Sequence, residues 1–101
     1  MKLSHLLILL LVVAAGCTGR PATDATGEEV YLQLCSNCHG DDLGGGVGPA
    51  LGSGSASAEL PDTFLEATIL DGRGRMPSFR SSLDDDQLGR LIGYIREVQG
   101  R

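Results

Sequence analysis

A single five-residue stretch, CSNCH at Cys35–His39, constrains this chain more than any other feature of its sequence. At the end of a helix, two thiols three residues apart can both reach the vinyl groups on one edge of a haem. The imidazole next to Cys38 can then reach the iron. This geometry explains why C-x-x-C-H is typical of covalent c-type haem attachment. The pattern therefore predicts one covalent haem c, held by Cys35, Cys38 and His39.

Three other roles for the two thiols follow from the same pattern. A zinc site needs a second ligand pair at finger-like spacing, whereas the remaining Cys and His are Cys17 and His5, close to the N-terminus. A thioredoxin-like dithiol needs a βαβ context, and no strand-length alternation appears in the sequence. A disulfide between Cys35 and Cys38 would close too short a loop to stabilise much. Haem attachment is the preferred interpretation, with these three as alternatives.

The N-terminus predicts export. A positively charged start is followed by the apolar stretch Leu6–Ala15 and a small residue, which is the pattern of a secretory signal. The apolar run has roughly half the length that a transmembrane helix needs. The segment AAGC ending at Cys17 resembles the lipobox of bacterial lipoproteins, although that family usually places Leu where Ala14 stands. We expect a signal over 1–16 and a lipid anchor and linker over 17–25; ordinary cleavage nearby, leaving Cys17 as an odd thiol, is the alternative.

The composition limits what can hold the mature chain together. Two Phe, two Tyr and no Trp are few large side chains for a core, and small domains often need a metal, a disulfide or a cofactor. A large apolar prosthetic group would fill this deficit. The 13 acidic and 8 basic residues give a net charge of −5, which becomes more negative once Lys2 is cleaved off. This charge argues against nucleic-acid binding.

Helix signals predict an all-α domain over 26–101. Thr26 and Glu29 have the spacing of a capping box, and apolar residues at helical spacing follow, so a first helix should end near Cys38–His39. The next residues, 40–58, are rich in glycine and show no periodicity. A loop of this length needs a reason, either disorder or wrapping around something.

Two further helices are predicted downstream. One begins at Pro61, a favoured first-turn residue, and stops at Gly72. The last begins with a second capping box, formed by Asp84 and Gln87. Its predicted buried face comprises Leu88, Leu91, Ile92, Ile95 and Val98.

From Thr26 to Val98 the chain resembles the class I cytochrome c family. The resemblance implies the cytochrome c fold, with three to four short helices and long loops wrapped around one covalently bound haem. In that family the His of the attachment motif is the proximal iron ligand, here His39. The distal ligand is a Met, commonly followed by Pro, on the loop before the last helix, here Met76. A core residue that fills a gap is the alternative role for Met76.

Two further segments carry the resemblance. The sequence GPAL around Pro49 is similar to the family loop in which a Pro carbonyl accepts a hydrogen bond from the proximal imidazole; a plain turn is the alternative. Gly27 and Tyr31 are similar to the residues at which the first helix crosses the last, here at Leu91 and Tyr94. One departure concerns docking: the Lys residues that ring the haem edge in many carriers are absent, and the Met loop carries only Arg73, Arg75 and Arg80.

Ligation by both His39 and Met76 would leave no open coordination position. The resemblance therefore implies a one-electron carrier rather than an enzyme, with redox partner proteins and a potential raised by the thioether. We expect the protein to be exported, periplasmic or at the cell surface, bound to the membrane through the Cys17 lipid, and either monomeric or part of a respiratory complex. The alternatives are a haem-bearing subunit fixed in a larger oxidoreductase, and a gas- or peroxide-reactive haem protein with a displaceable Met76.

Overall fold

The computed structural model describes residues 19–101, so the predicted export signal and Cys17 lie outside the described residues. In chain order the elements are α1 (Gly27–Leu34), α2 (Ser36–His39), a short 3₁₀ helix (Ala56–Glu59), α3 (Asp62–Asp71) and α4 (Asp85–Gln99). Residues 19–101 contain no strand, which confirms the predicted all-α class. None of the helices in this part of the chain combines the length and apolarity needed to span a membrane.

The first predicted helix is divided in two. It begins as predicted, because the Thr26 hydroxyl accepts a hydrogen bond from the Glu29 amide at 3.1 Å. The Glu29 carboxylate contacts the same hydroxyl. At Cys35 the backbone leaves ideal helical geometry, with φ at −117°. The Ser36 hydroxyl donates to the Leu32 carbonyl at 2.7 Å, and such side-chain bonds compete with the backbone ladder. The result is two helices, α1 and α2, instead of one.

The crossing of α1 and α4 is the centre of the fold. A Cβ atom placed on Gly27 would lie 2.1 Å from the Arg90 carbonyl oxygen, so the two helix backbones are in direct contact there. One turn later the rings of Tyr31 and Tyr94 lie 5.6 Å apart at an interplanar angle of 54°. Leu91 is fully buried beside them. The structure thus contains the helix crossing that the sequence predicted.

The capping box of α4 is complete and confirms the prediction. Asp84 accepts from the Gln87 amide at 2.7 Å, and the Gln87 side chain accepts from the Asp84 amide at 2.8 Å. Helix α3 differs slightly from its prediction, since Pro61 is its N-cap and not its first helical residue. The apolar residues buried in the shared core are Ala25, Val30, Tyr31, Cys35, Leu43, Leu65, Ile69, Leu83, Leu88, Leu91, Ile92 and Ile95, with Val98 only partly buried beside them.

The segment before α1 is tied to α4. Part of it belongs to the stretch that the sequence assigned to a linker. The Gln87 and Arg90 side chains of α4 donate hydrogen bonds at 2.7 to 3.2 Å to four carbonyl oxygens, those of Pro21, Ala22, Thr23 and Ala25. Ala25 is buried. The packed part of the chain therefore begins several residues before Thr26.

Candidate haem site

The two cysteines of the CSNCH motif lie on one turn of chain. Cys35 occupies the junction of α1 and α2, and the His39 amide donates to its carbonyl at 3.0 Å. Both cysteines are free thiols, with Cys35 buried and Cys38 exposed. Burial, together with the nearby Cys38, raises the pKa of Cys35 to about 12. Burial therefore favours the protonated thiol over the thiolate at Cys35 before haem attachment. The structure contains no disulfide between Cys35 and Cys38.

The His39 imidazole is held in a defined orientation. Its Nδ1 atom lies 2.8 Å from the Pro49 carbonyl oxygen, and the residue is only 8% exposed. A carbonyl oxygen only accepts, so Nδ1 carries the proton. Any lone pair of the ring then lies at Nε2, the nitrogen through which this ring could bind a metal. The Pro49 contact anticipated by analogy is therefore present in the structure.

The glycine-rich loop is folded around His39. The Gly48 amide donates to the Cys38 carbonyl and the Gly45 amide donates to the His39 carbonyl, each at 2.7 Å. These bonds satisfy carbonyls that the end of α2 leaves without helical partners. A Cβ atom on Gly48 would lie 2.9 Å from His39 Cε1, so this position needs glycine. Sequence reasoning did not assign Gly48 a role, although its place directly before Pro49 was a signal.

Tyr31 joins α1 to the start of this loop. Its hydroxyl donates to the Gly40 carbonyl at 2.7 Å, and the residue is fully buried. Burial is the main cause that raises the pKa of Tyr31 to about 12, with the nearby Cys35 contributing. The side chain therefore remains a neutral donor over the physiological range, and it holds the loop to the helix that carries Cys35.

Met76 lies on a separate segment, between α3 and α4. Its amide donates to the Arg73 carbonyl at 2.9 Å, and its carbonyl accepts from the Arg73 amide at 3.1 Å. The side chain is half-buried and packs against the core. The structure thus groups Cys35, Cys38, His39 and Pro49, and places Met76 on a tight turn between α3 and α4.

The three arginines of the Met segment differ in their surroundings. Arg80 forms an exposed ion pair with Asp71, and the Arg73 guanidinium lies 5.5 Å from the centre of the Phe64 ring. Arg75 is exposed. Two of these three charges are therefore engaged in contacts within the domain.

The donor set fits a covalent haem. Two free thiols and an imidazole with an available Nε2 are the groups that c-type attachment uses, and they share one short stretch of chain. Within residues 19–101, no group of three or more His, Cys, Asp or Glu side chains could hold a metal ion by itself. A zinc site, which needs three or four such ligands, therefore does not fit this part of the chain.

Comparison with known proteins points to the same chemistry. Residues 22–95 match the family described as cytochrome c oxidase, cbb3-type, subunit III. Cytochrome c-551 of Bacillus subtilis is 36% identical over 76 residues, which are 75% of this chain and 64% of that protein. The cytochrome c subunit of 4-cresol dehydrogenase from Pseudomonas putida is 32% identical over 87% of this chain and 74% of its own length.

A solved structure also matches closely. Cytochrome cL from Hyphomicrobium denitrificans superposes with a TM-score of 0.64 at 38% sequence identity, over 72% of this chain and 45% of that one. The chain thus spans less than two thirds of the Bacillus protein and of cytochrome cL. The family match over residues 22–95 nevertheless includes the attachment motif, the loop around His39 and the Met segment. The chain therefore belongs to the cytochrome c family, as an electron-transfer protein that carries covalently attached haem c.

Proposed function

We propose that this chain is a one-electron carrier in which His39 and Met76 would both bind the haem iron, and Cys35 and Cys38 would form the thioether links. Such a haem supplies reversible one-electron transfer at the iron. The observation that carries the proposal is the 2.8 Å contact between His39 Nδ1 and the Pro49 carbonyl, because it leaves Nε2 of a buried imidazole available as a ligand.

Each of these residues has a distinct task in the proposed carrier. The Pro49 carbonyl fixes the tautomer and orientation of His39 and makes the ring a stronger ligand. Gly48 allows the loop to lie against the ring. The Met76 thioether is a soft donor that favours the reduced state and so raises the reduction potential. With both axial positions taken, the protein exchanges electrons and leaves no place for a substrate to bind.

Carbon monoxide binding to the reduced holoprotein tests this closure. We expect the wild-type spectrum to be unchanged by the gas, and Met76→Ala to bind it at once. Met76→Leu is the matched variant, because it keeps the side-chain volume but removes the sulfur. If Met76 is an axial ligand, both variants bind carbon monoxide. If Met76 only fills space, Met76→Leu behaves as the wild type, and a wild type that binds carbon monoxide would favour a gas- or peroxide-reactive protein.

We further propose that Cys17 is lipidated after cleavage of residues 1–16 and that the exported domain is held at a membrane surface. The support is the AAGC sequence that follows the apolar stretch. Two or more acyl chains give stable anchoring, whereas one alone binds only marginally. Mass spectrometry of detergent-extracted protein should find a diacylglycerol-modified Cys17 as the first residue. An unmodified N-terminus at any position would contradict the anchor.

A second candidate is a haem-bearing subunit fixed in a larger oxidoreductase. The likeness to a cytochrome subunit of a dehydrogenase favours it. So does Val47, which neighbours Gly48 in the loop around His39 and is 81% exposed, since a permanent partner would cover such an apolar side chain. The native mass of the same detergent extract separates the two candidates, because a free carrier elutes as a monomer and a fixed subunit elutes in a stoichiometric complex.

A further inference from the structure

The Met76 segment is fastened to the C-terminal end of α3. The last carbonyls of a helix have no partners within it, and here the chain that follows supplies them. The Phe79 amide donates to the Ile69 carbonyl at 2.9 Å. The Ser78 hydroxyl donates to the Leu70 carbonyl. The segment after Met76 therefore doubles back and caps the helix that precedes it.

Gly72 lies in close contact with the backbone of the same segment. It ends α3 at a φ of +76°, and a Cβ atom placed on it would lie 2.6 Å from the Met76 carbonyl oxygen and 2.9 Å from both the Pro77 carbonyl carbon and the Ser78 amide nitrogen. All three of these atoms belong to the backbone and cannot rotate away. The backbone of the Met segment thus rests directly on Gly72, at a separation that only glycine permits.

The turn that carries Met76 is itself tightly closed. Arg73 and Met76 exchange both of their backbone hydrogen bonds, so the turn moves as a unit. Of the two bonds that keep this unit on α3, the one from Ser78 is at the surface, since Ser78 is exposed, whereas Phe79 packs against the core. Exposed hydrogen bonds open at a lower free energy than contacts in the core. The bond from Ser78 is therefore the part of this attachment that opens most readily.

We propose that Gly72 and Ser78 form a latch for the Met76 turn, and that the strength of this latch sets how often the thioether gives up its axial position. Both are positioning residues, because they act through Met76. The inference rests on the proposed ligation by Met76. It adds that access of external ligands is governed by contacts at the end of α3.

Binding of imidazole to the ferric holoprotein measures the latch. Ser78→Ala removes the bond to Leu70 and also the longer one that the Ser78 hydroxyl accepts from the Arg80 amide at 3.3 Å. We expect this variant to bind imidazole about two- to tenfold more tightly than the wild type, which is the range for one net hydrogen bond. The absorption band of thioether-ligated ferric haem should weaken in parallel. Ser81→Ala is the matched control, because Ser81 is an exposed serine nearby, and its imidazole affinity should stay within twofold of the wild type.

A pair of glycine variants tests the steric half. Gly72→Ala brings both a clash and the strain of a positive φ. Gly74→Ala brings only the strain, because Gly74 has a φ of +58° and nothing within 4 Å of its Cβ position. We expect imidazole affinity to rise more than tenfold in Gly72→Ala and by clearly less in Gly74→Ala, because strain within the Met76 turn is common to both variants and the clash belongs to Gly72→Ala alone. If Gly72→Ala does not fold, the comparison of Ser78→Ala with Ser81→Ala by itself tests whether the latch controls imidazole affinity.

Three results would overturn the latch. One is an unchanged imidazole affinity in Ser78→Ala. Another is an equal rise in Gly72→Ala and Gly74→Ala. The third is a rise that accompanies an equal loss of global stability in denaturant, since a merely structural role would act in that way. Failure of the Met76 ligation is recognised separately, because the wild type would then bind imidazole as tightly as Met76→Ala does.

Discussion

Gly27→Val is expected to lower the free energy of unfolding of the holoprotein by about 3 kcal/mol, at the upper end of the cost of overpacking. The new Cβ would meet the Arg90 carbonyl oxygen at 2.1 Å and the Tyr94 Cβ at 2.8 Å. Neither atom can rotate away, so α1 and α4 must separate. Separation weakens the contact between Tyr31 and Tyr94 and loosens the helix that leads into Cys35. Chemical denaturation followed by helical circular dichroism measures the loss.

Gly93→Ala is the control for this prediction and should act in the opposite direction. Gly93 is exposed on α4, and nothing lies within 4 Å of its Cβ position. Alanine in a helix interior is more stable than glycine by roughly 0.5–1 kcal/mol. A gain for Gly93→Ala beside a loss for Gly27→Val would show that contact, and not glycine as such, matters at the crossing. Loss of stability in both variants, or in neither, would contradict this account.

Arg96→Ala is expected to lower the free energy of unfolding by about 3 kcal/mol, because several hydrogen bonds to a buried charged group are lost together. Arg96 is 7% exposed. Its guanidinium donates to Asp62 at 2.8 Å, to the Ser57 carbonyl at 3.1 Å and to Gln99 at 2.7 Å, as well as to the Leu60 carbonyl. Without Arg96, the connection from the 3₁₀ helix to α3 is joined to the end of α4 only by the bonds from Gln99 and Arg101. Denaturation of the holoprotein is again the measurement.

Arg80→Ala separates this network from a simple ion pair. Arg80 also binds an aspartate, Asp71, but the two side chains are 62% and 63% exposed. Pairs in such surroundings contribute at most about 1 kcal/mol, so we expect a small change. Comparable losses in Arg80→Ala and Arg96→Ala would mean that the charge pair, and not the buried set of carbonyl and amide acceptors, accounts for the effect of Arg96.

Helix α4 connects the stability of the domain to the haem site, because it contacts the elements that carry the site. The same helix holds Gly27 of α1, the connection to α3 through Arg96, and the segment before α1 through Gln87 and Arg90. The haem-attachment turn and the Met76 segment are each joined to one of these partners. Changes on α4 should therefore alter the haem site indirectly, through the elements that α4 brings together.

The sequence by itself determined the chemistry of this protein. Cys35, Cys38 and His39 lie within five residues, so their common purpose follows from spacing alone. The capping box of Asp84 and Gln87 was equally predictable, since it spans one helical turn. Interactions of this kind are local, and the chain needs no knowledge of the rest of the fold to form them.

The resemblance to the cytochrome c family predicted contacts between residues farther apart in the sequence, but it gave no distances or angles. It indicated a contact between Pro49 and His39, and the structure contains it at 2.8 Å. It also indicated the crossing at Gly27. The role of Met76 as an axial ligand remains a prediction, which the carbon monoxide experiment addresses.

Only the tertiary structure decided the remaining features. The packing of the segment before α1 against Gln87 and the bond from Arg96 to the Ser57 carbonyl have no local signature. Gln87 and Pro21 are separated by 66 residues, so their contact exists only after α1 and α4 have crossed. A sequence pattern predicts interactions within one helical turn. Contacts between residues far apart in the sequence depend on how the whole chain folds.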